Sequence, residues 1–224
     1  MAAHDKNPPH NSAAIRSGSV GSRRAAMSAP AAAPHVIVVA GANGAGKSTS
    51  APHLLRDTLT VTEFVNADAI AGGLSAFRPE AVAVAAGRIM LDRMRQLAAA
   101  GENFAFETTL ASRSFAPWLS KLRRDGYHVH VLFLWLRSAD LAVSRVTERV
   151  RLGGHDVPEA VIRRRYEKGL RNFFALYMPL ADGWQFFDNS SVTQRRLMAA
   201  GNRNTVRAFG DPTDWRRLME AHRG

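Results

Sequence analysis

An α/β domain built on a parallel sheet is predicted by three features of this sequence. Short, β-branched apolar runs alternate with helix-length segments, a glycine-rich loop follows the first run directly, and acidic residues close the next two. Val36, Ile37, Val38, Val39 and Ala40 make a wholly apolar run of the kind buried on both faces of a sheet. Further strands are expected at 64–66, 104–106, 129–136 and 184–187, giving a parallel five-stranded sheet flanked by helices. The first helix follows the glycine loop and runs to about residue 59. Pro79 opens a long second one, with Ala81, Ala85, Ile89, Met90 and Met94 as its apolar face. Helices are also expected at 115–124, 140–151, 158–176 and 212–221, and a small hairpin at 196–199 and 205–209. In such a sheet, ligands sit at the carboxyl ends of the strands.

The chain has 224 residues, 46% of them hydrophobic, which suits one domain and a tail. Residues 1–34 are rich in Ala, Ser, Pro, His and Gly without hydrophobic periodicity; a disordered tail is expected there, with the domain spanning 35–224. The Arg-rich, acid-poor start shares features with an organellar transit peptide, but a plain tail, or translation beginning at Met27, is the simpler reading. No apolar run reaches the roughly 18–20 residues of a membrane helix. Cysteine is absent, so disulfide and thiolate chemistry are excluded and a reducing cytoplasm is the expected setting. The formal charge of +11 admits a nucleic-acid partner, yet arginines also serve phosphate chemistry, and no basic–aromatic stacking platform accompanies them.

Gly41, Ala42, Asn43, Gly44, Ala45, Gly46, Lys47 and Ser48, with Thr49 after them, match G-x-x-x-x-G-K-[ST] at every defined position, between a predicted strand and a predicted helix. Glycines let the backbone wrap around phosphates so that successive N–H groups and the helix N-terminus face the anion. The motif assigns Lys47 to the β- and γ-phosphates of ATP and Ser48 to Mg²⁺. This version of the loop is also close to that of ABC transporter ATPases. Their Leu-Ser-Gly-Gly-Gln signature is missing, however, since Gly72-Gly73-Leu74-Ser75 has the wrong order, and the strand at 129–136 runs into Arg137 instead of an acidic pair.

Asp68 directly follows the second strand, where a carboxylate can take the proton of a hydroxyl attacking the γ-phosphorus. Glu107 and Thr108 hold the same place after the third strand, suited to Mg²⁺ through water or to the acceptor's hydroxyls, and Arg113 nearby suits an anionic acceptor. Arg145, Arg149 and Arg151 precede the Gly153-Gly154 hinge, and Arg163, Arg164 and Arg165 follow it. Two helices joined by glycines, with arginines on both sides, predict an Arg-rich lid over about 149–166 that closes on ATP. Helical spacing forbids all six from pointing inward; Arg149 and Arg151 are the catalytic candidates. His155 is expected to be a hinge or phosphate contact.

Taken in order, the loop at 41–49, Phe64-Val65-Asn66-Ala67-Asp68, Phe106-Glu107-Thr108-Thr109-Leu110, Gly153-Gly154-His155-Asp156-Val157-Pro158 leading to Arg163-Arg164-Arg165-Tyr166, and Trp184 followed by Asp188-Asn189-Ser190 resemble the zeta toxin family of P-loop kinases in its shorter chromosomal form. The resemblance covers about 36–189. It implies a P-loop NTPase fold and transfer of the ATP γ-phosphate to a sugar hydroxyl of UDP-N-acetylglucosamine. Lys47 would be the phosphate lysine, Asp68 the base and Glu107 a substrate-site carboxylate, with an antitoxin as a possible partner. The chain is shorter than the plasmid-borne toxins of that family, and its lid glycines do not align with their arginine spacing. Two other readings stand beside this one: a nucleic-acid-binding ATPase or polynucleotide kinase, and a nucleotide-gated interaction protein.

Overall fold

The computed structural model describes residues 33–59, 61–191, 193–209 and 211–222; the expected tail lies outside them as far as residue 32. Strands β1 (His35–Gly41), β2 (Glu63–Val65), β3 (Phe104–Thr108), β4 (His128–Trp135) and β5 (Gly183–Asp188) run parallel, in the spatial order β2-β3-β1-β4-β5. The sheet continues through β6 (Arg196–Gly201) and β7 (Val206–Ala208), each antiparallel to the strand before it, so it has seven strands and not the expected five. The predicted hairpin is present, but it is not a separate element. It satisfies the backbone N–H and C=O groups that β5 would otherwise leave unpaired.

Burial explains the central strands. Val36 to Ala40 are wholly buried, as their uninterrupted apolar run requires, because helices cover both faces of the sheet. An aromatic cluster of Phe133, Phe173, Phe174, Trp184 and Phe186 fills one side, and helix α8 (Pro212–His222) joins it through Trp215, whose ring stacks on Trp184 at 5.7 Å. Between β2 and β3 lie α2 (Ala67–Leu74), a 3₁₀ turn (Pro79–Val82) and α3 (Ala83–Ala99). The face that α3 buries is Ala86, Met90, Met94 and Leu97; Ala81, Ala85 and Ile89, expected inside, are exposed. With alanines on every side of this helix, two apolar stripes are possible, and contact with the strands selects the one carrying Leu97.

On the other side of the sheet's centre, α5 (Ala139–Arg151) and α6 (Glu159–Asn172) are joined by the loop at 152–158. A π-helical turn (Phe173–Tyr177) and the short α7 (Met178–Leu180) extend α6. The wider π turn carries Phe173, Phe174 and Tyr177 into the interior together. Helix α4 (Phe115–Arg124) and α1 (Lys47–Leu59) complete the layers. Among the described residues, no helix is long and apolar enough to cross a membrane.

Three side chains from the α6 segment grip the loops that leave β3 and β4. The Tyr166 hydroxyl donates to the Leu136 carbonyl (2.7 Å), Asn172 Nδ2 to the Leu110 carbonyl (2.7 Å), and the Tyr177 hydroxyl to the Ser112 carbonyl (2.8 Å). Gly169 permits this approach: a Cβ there would stand 2.3 Å from the Thr109 carbonyl oxygen. These bonds set the backbone at the carboxyl edge of the sheet.

Candidate active site

The loop at 41–49 needs its glycines for two separate reasons. Gly41 has φ 144°, and a Cβ on it would lie 2.3 Å from the Leu134 carbonyl of β4. Gly44 and Gly46 both have φ 77°, the left-handed region that turns the loop back toward α1. The turn is braced from outside. Asn189 Nδ2, just past β5, donates to the Ala45 carbonyl (2.7 Å), and Arg145 of α5 donates to the Asn189 and Ser190 carbonyls (both 2.9 Å). Arg165 of α6 reaches Asn43 Oδ1 at 3.4 Å.

Inside the loop, Lys47 is nearly enclosed (6% exposed); its Nζ donates to the Ala42 carbonyl at 2.9 Å and lies 3.4 Å from Glu107 Oε1. Burial pulls its pKa below the ordinary lysine value, and this outweighs the opposite pull of the Glu107 carboxylate. The ammonium is therefore incompletely compensated, and a further anion beside it is favoured. Ser48 Oγ donates to Glu107 Oε2 at 2.7 Å. A hydroxyl and a carboxylate this close form a pair of hard oxygen donors, which fits Mg²⁺ when the remaining ligands are phosphates and water.

Asn66 ties the loop to Asp68. Its Nδ2 donates to Glu107 Oε2 (2.7 Å) and to Ser48 Oγ (3.3 Å), while its Oδ1 accepts from the Asp68 and Ala69 amides (2.7 and 3.2 Å) and so caps α2. Asn66 was expected to end a strand; here it starts a helix. Asp68, in the first turn of α2, turns a half-exposed carboxylate into the cleft.

From α5, Arg149 Nη2 donates to the His155 carbonyl (2.9 Å), and Gly154 leaves the arginine room, since a Cβ there would meet Arg149 Cγ at 2.6 Å. The Arg149 Nε is buried with no partner in the protein. His155 Nε2 comes to 3.7 Å from Asp68 Oδ2, so the loop at 152–158 meets the base candidate.

These groups line one cleft of about 930 Å³: Asn43, Gly44, Gly46, Lys47, Ser48 and Thr49 of the loop, Asp68, Glu107, Arg145, Arg149 and the Gly153-Gly154 hinge. Several expected site residues lie elsewhere. Gly41, Ala42 and Ala45 shape the loop from within without lining the cleft. Arg151 is 74% exposed and pairs with Glu148, a cleft residue, but does not itself line the cleft. Thr108 Oγ1 accepts from the Leu110 amide and serves the turn, and Arg113 is exposed outside the cleft. Arg163 is engaged by Asp140 and Glu159, both at 2.7 Å. Arg145 was counted among the lid arginines but not chosen, and Asn66 and Asn189 stood in the motifs without a role; an Asn directly before an acidic residue, as in a helix cap, is the signal that could have found Asn66.

The AAA domain family (AAA_33) matches residues 36–172, which spans the loop, Asp68, Glu107 and the lid. An uncharacterized protein of Haemophilus influenzae is 25% identical over 130 residues, 58% of this chain and 91% of its own length. Among solved structures, a chain from the PezAT chromosomal toxin–antitoxin system of Streptococcus pneumoniae superposes with a TM-score of 0.56 at 16% identity, covering 76% of this chain and 75% of that one. A chain of the AvrRxo1-ORF1:AvrRxo1-ORF2 complex with sulphate ions gives a TM-score of 0.64 at 13% identity over 84% of this chain; the match spans 64% of that chain, under two thirds of it. The same pair has been solved with ATP, with a TM-score of 0.62 and 14% identity. These structures share a P-loop, kinase-like fold with the present chain.

Proposed function

The chain belongs to the AAA domain family, and from that premise we propose that it is an ATP-dependent small-molecule kinase, moving the γ-phosphate to a sugar hydroxyl, with UDP-N-acetylglucosamine as the leading acceptor. One observation carries this reading. Lys47, Ser48, Asp68, Glu107 and Arg149 all line a single cleft, which brings the phosphate-loop groups and a half-exposed carboxylate together.

In this mechanism the ATP phosphates lie along the loop's N–H groups, with Lys47 on the β- and γ-phosphates. Ser48 and Glu107 would hold Mg²⁺, which when bound neutralises charge on the phosphate oxygens. Asp68 accepts the proton of the acceptor hydroxyl as its oxygen bonds to the γ-phosphorus; the bond to the β,γ-bridging oxygen breaks and ADP leaves. Arg149, with a buried N–H awaiting an acceptor, stabilises the charge on the transferring group. Both ATP and a sugar nucleotide are consistent with a cytoplasmic reaction. The toxin–antitoxin origin of one similar fold supports a protein partner of antitoxin type.

Incubating the protein with ATP, Mg²⁺ and a panel of hydroxyl acceptors that includes UDP-N-acetylglucosamine, read by mass spectrometry, tests the proposal. A product heavier by one phosphoryl group is expected. Asp68→Asn should bind ATP as the wild type does and lose transfer by about 100-fold or more. Undiminished transfer by that variant would remove Asp68 from the mechanism.

A further inference from the structure

We infer that Asn66 is a positioning residue that couples occupation of the phosphate loop to the placement of Asp68. The proposal rests on the kinase reading for its purpose but not for its geometry. Asn66 is buried; its Nδ2 directs one N–H, shared, at both Glu107 Oε2 and Ser48 Oγ, and its oxygen accepts two backbone amides. The donated bonds go to the two oxygen ligands proposed for the cation, Ser48 Oγ and Glu107 Oε2. The accepted bonds come from the first-turn amides of α2, including that of Asp68 itself. The planar amide is rigid, so a shift on its nitrogen side turns its oxygen side as well.

Nucleotide loading must disturb the nitrogen side. Ser48 Oγ accepts from Asn66 and donates to Glu107. With a lone pair of Ser48 given to a cation, the long 3.3 Å bond from Asn66 would be the first to yield, and the amide would turn toward Glu107. The change passes through Oδ1 to the start of α2. Asp68 is thereby set for an acceptor after the donor is in place, which discourages loss of the phosphoryl group to water.

The informative variant is Asn66→Ser. A serine oxygen still caps α2, so the helix is retained, while the amide N–H shared between the cation ligands is gone. Assigned backbone amides are followed by NMR as ATP and Mg²⁺ are added. In the wild type, Asp68 and Ala69 amides are expected to shift along with those of 44–49. In Asn66→Ser, the loop amides should still shift while Asp68 and Ala69 stay in place. ATP affinity should change by no more than about 3-fold and phosphoryl transfer should fall about 10- to 100-fold. Equal Asp68 shifts in both proteins, or none in the wild type, would overturn the coupling. Shifts relayed as expected in a wild type that phosphorylates no acceptor would instead leave the coupling standing and remove the kinase reading. If Asn66→Ser melts well below the wild type, Asn66→Asp serves as the second variant; it keeps the cap acceptor and opposes Glu107 with like charge, and an undisturbed relay in it also overturns the proposal.

Discussion

A single glycine shows how tightly the phosphate loop is tied to the sheet. Gly41 combines a positive φ with a close approach to the Leu134 carbonyl, so Gly41→Ala meets both backbone strain and a collision with β4. The expected loss is about 3 kcal/mol, or a melting temperature lower by roughly 6–12 °C, measurable by calorimetry. Titration behaviour is equally local. His35 Nδ1 and His130 Nε2 lie 3.0 Å apart at the opposite end of the strands, with His128 stacked on His35 and Asp182 nearby. One ring must donate and the other accept, so a second proton sets two N–H groups against each other. Burial, and then the neighbouring histidines, hold both pKa values below the ordinary one. Because the unfolded chain takes up these protons first, stability is level above about pH 6.5 and falls as pH drops through the lowered values. Thermal melts between about pH 8 and 5 should show this decline, and His130→Asn should flatten it. At this scale the phosphate loop was fully legible, because the physics demands each of its glycines and its lysine. Asn66 was not: an asparagine between a strand and an acidic residue is the same letter whether it ends the strand or caps the next helix. The cap is local, but the bridge to the loop exists only once Glu107 arrives from β3, 41 residues away.

Helix α6 reaches the site without entering it. Its grip on the loops after β3 and β4 holds Leu110, a buried residue with φ 54°, in a conformation that non-glycine residues adopt reluctantly. Asn172→Ala leaves the Leu110 carbonyl without a donor in a dry setting, and a loss of about 1–3 kcal/mol is expected by urea unfolding. Hydrogen exchange should quicken first at 109–112, ahead of β1; uniform quickening would mean the contact has no local role. Element lengths were readable from periodicity and glycine stops, but the faces of helices were not. For α3 the alanine-rich sequence offers two apolar stripes. For α5 the choice between Arg149 and Arg151 depends on the phase of the helix against the cleft, which is set by Ala142 and Val146 packing inside.

For the whole molecule, the sequence carried the strand–helix alternation but not the sheet's final width, since a hairpin near the end of a chain gives no sign of which strand it will join. Cross-strand pairing with β5 decided that, at a register shift between Phe186 and Phe187. The width has a consequence of its own. Both outermost strands, β2 and β7, are three residues long, and Glu63 on β2 is held by Arg93 at 2.8 Å. Short, charged margins offer little template for another chain, whereas β5 is six residues of mostly aromatic and apolar sequence. Removing residues 195–222 would lay that long strand bare. Light scattering should then report self-association of the truncated chain, and a monodisperse product would show that β5 is safe unaided. The hairpin thus works as a seal: it ends the sheet where a second molecule would otherwise continue it.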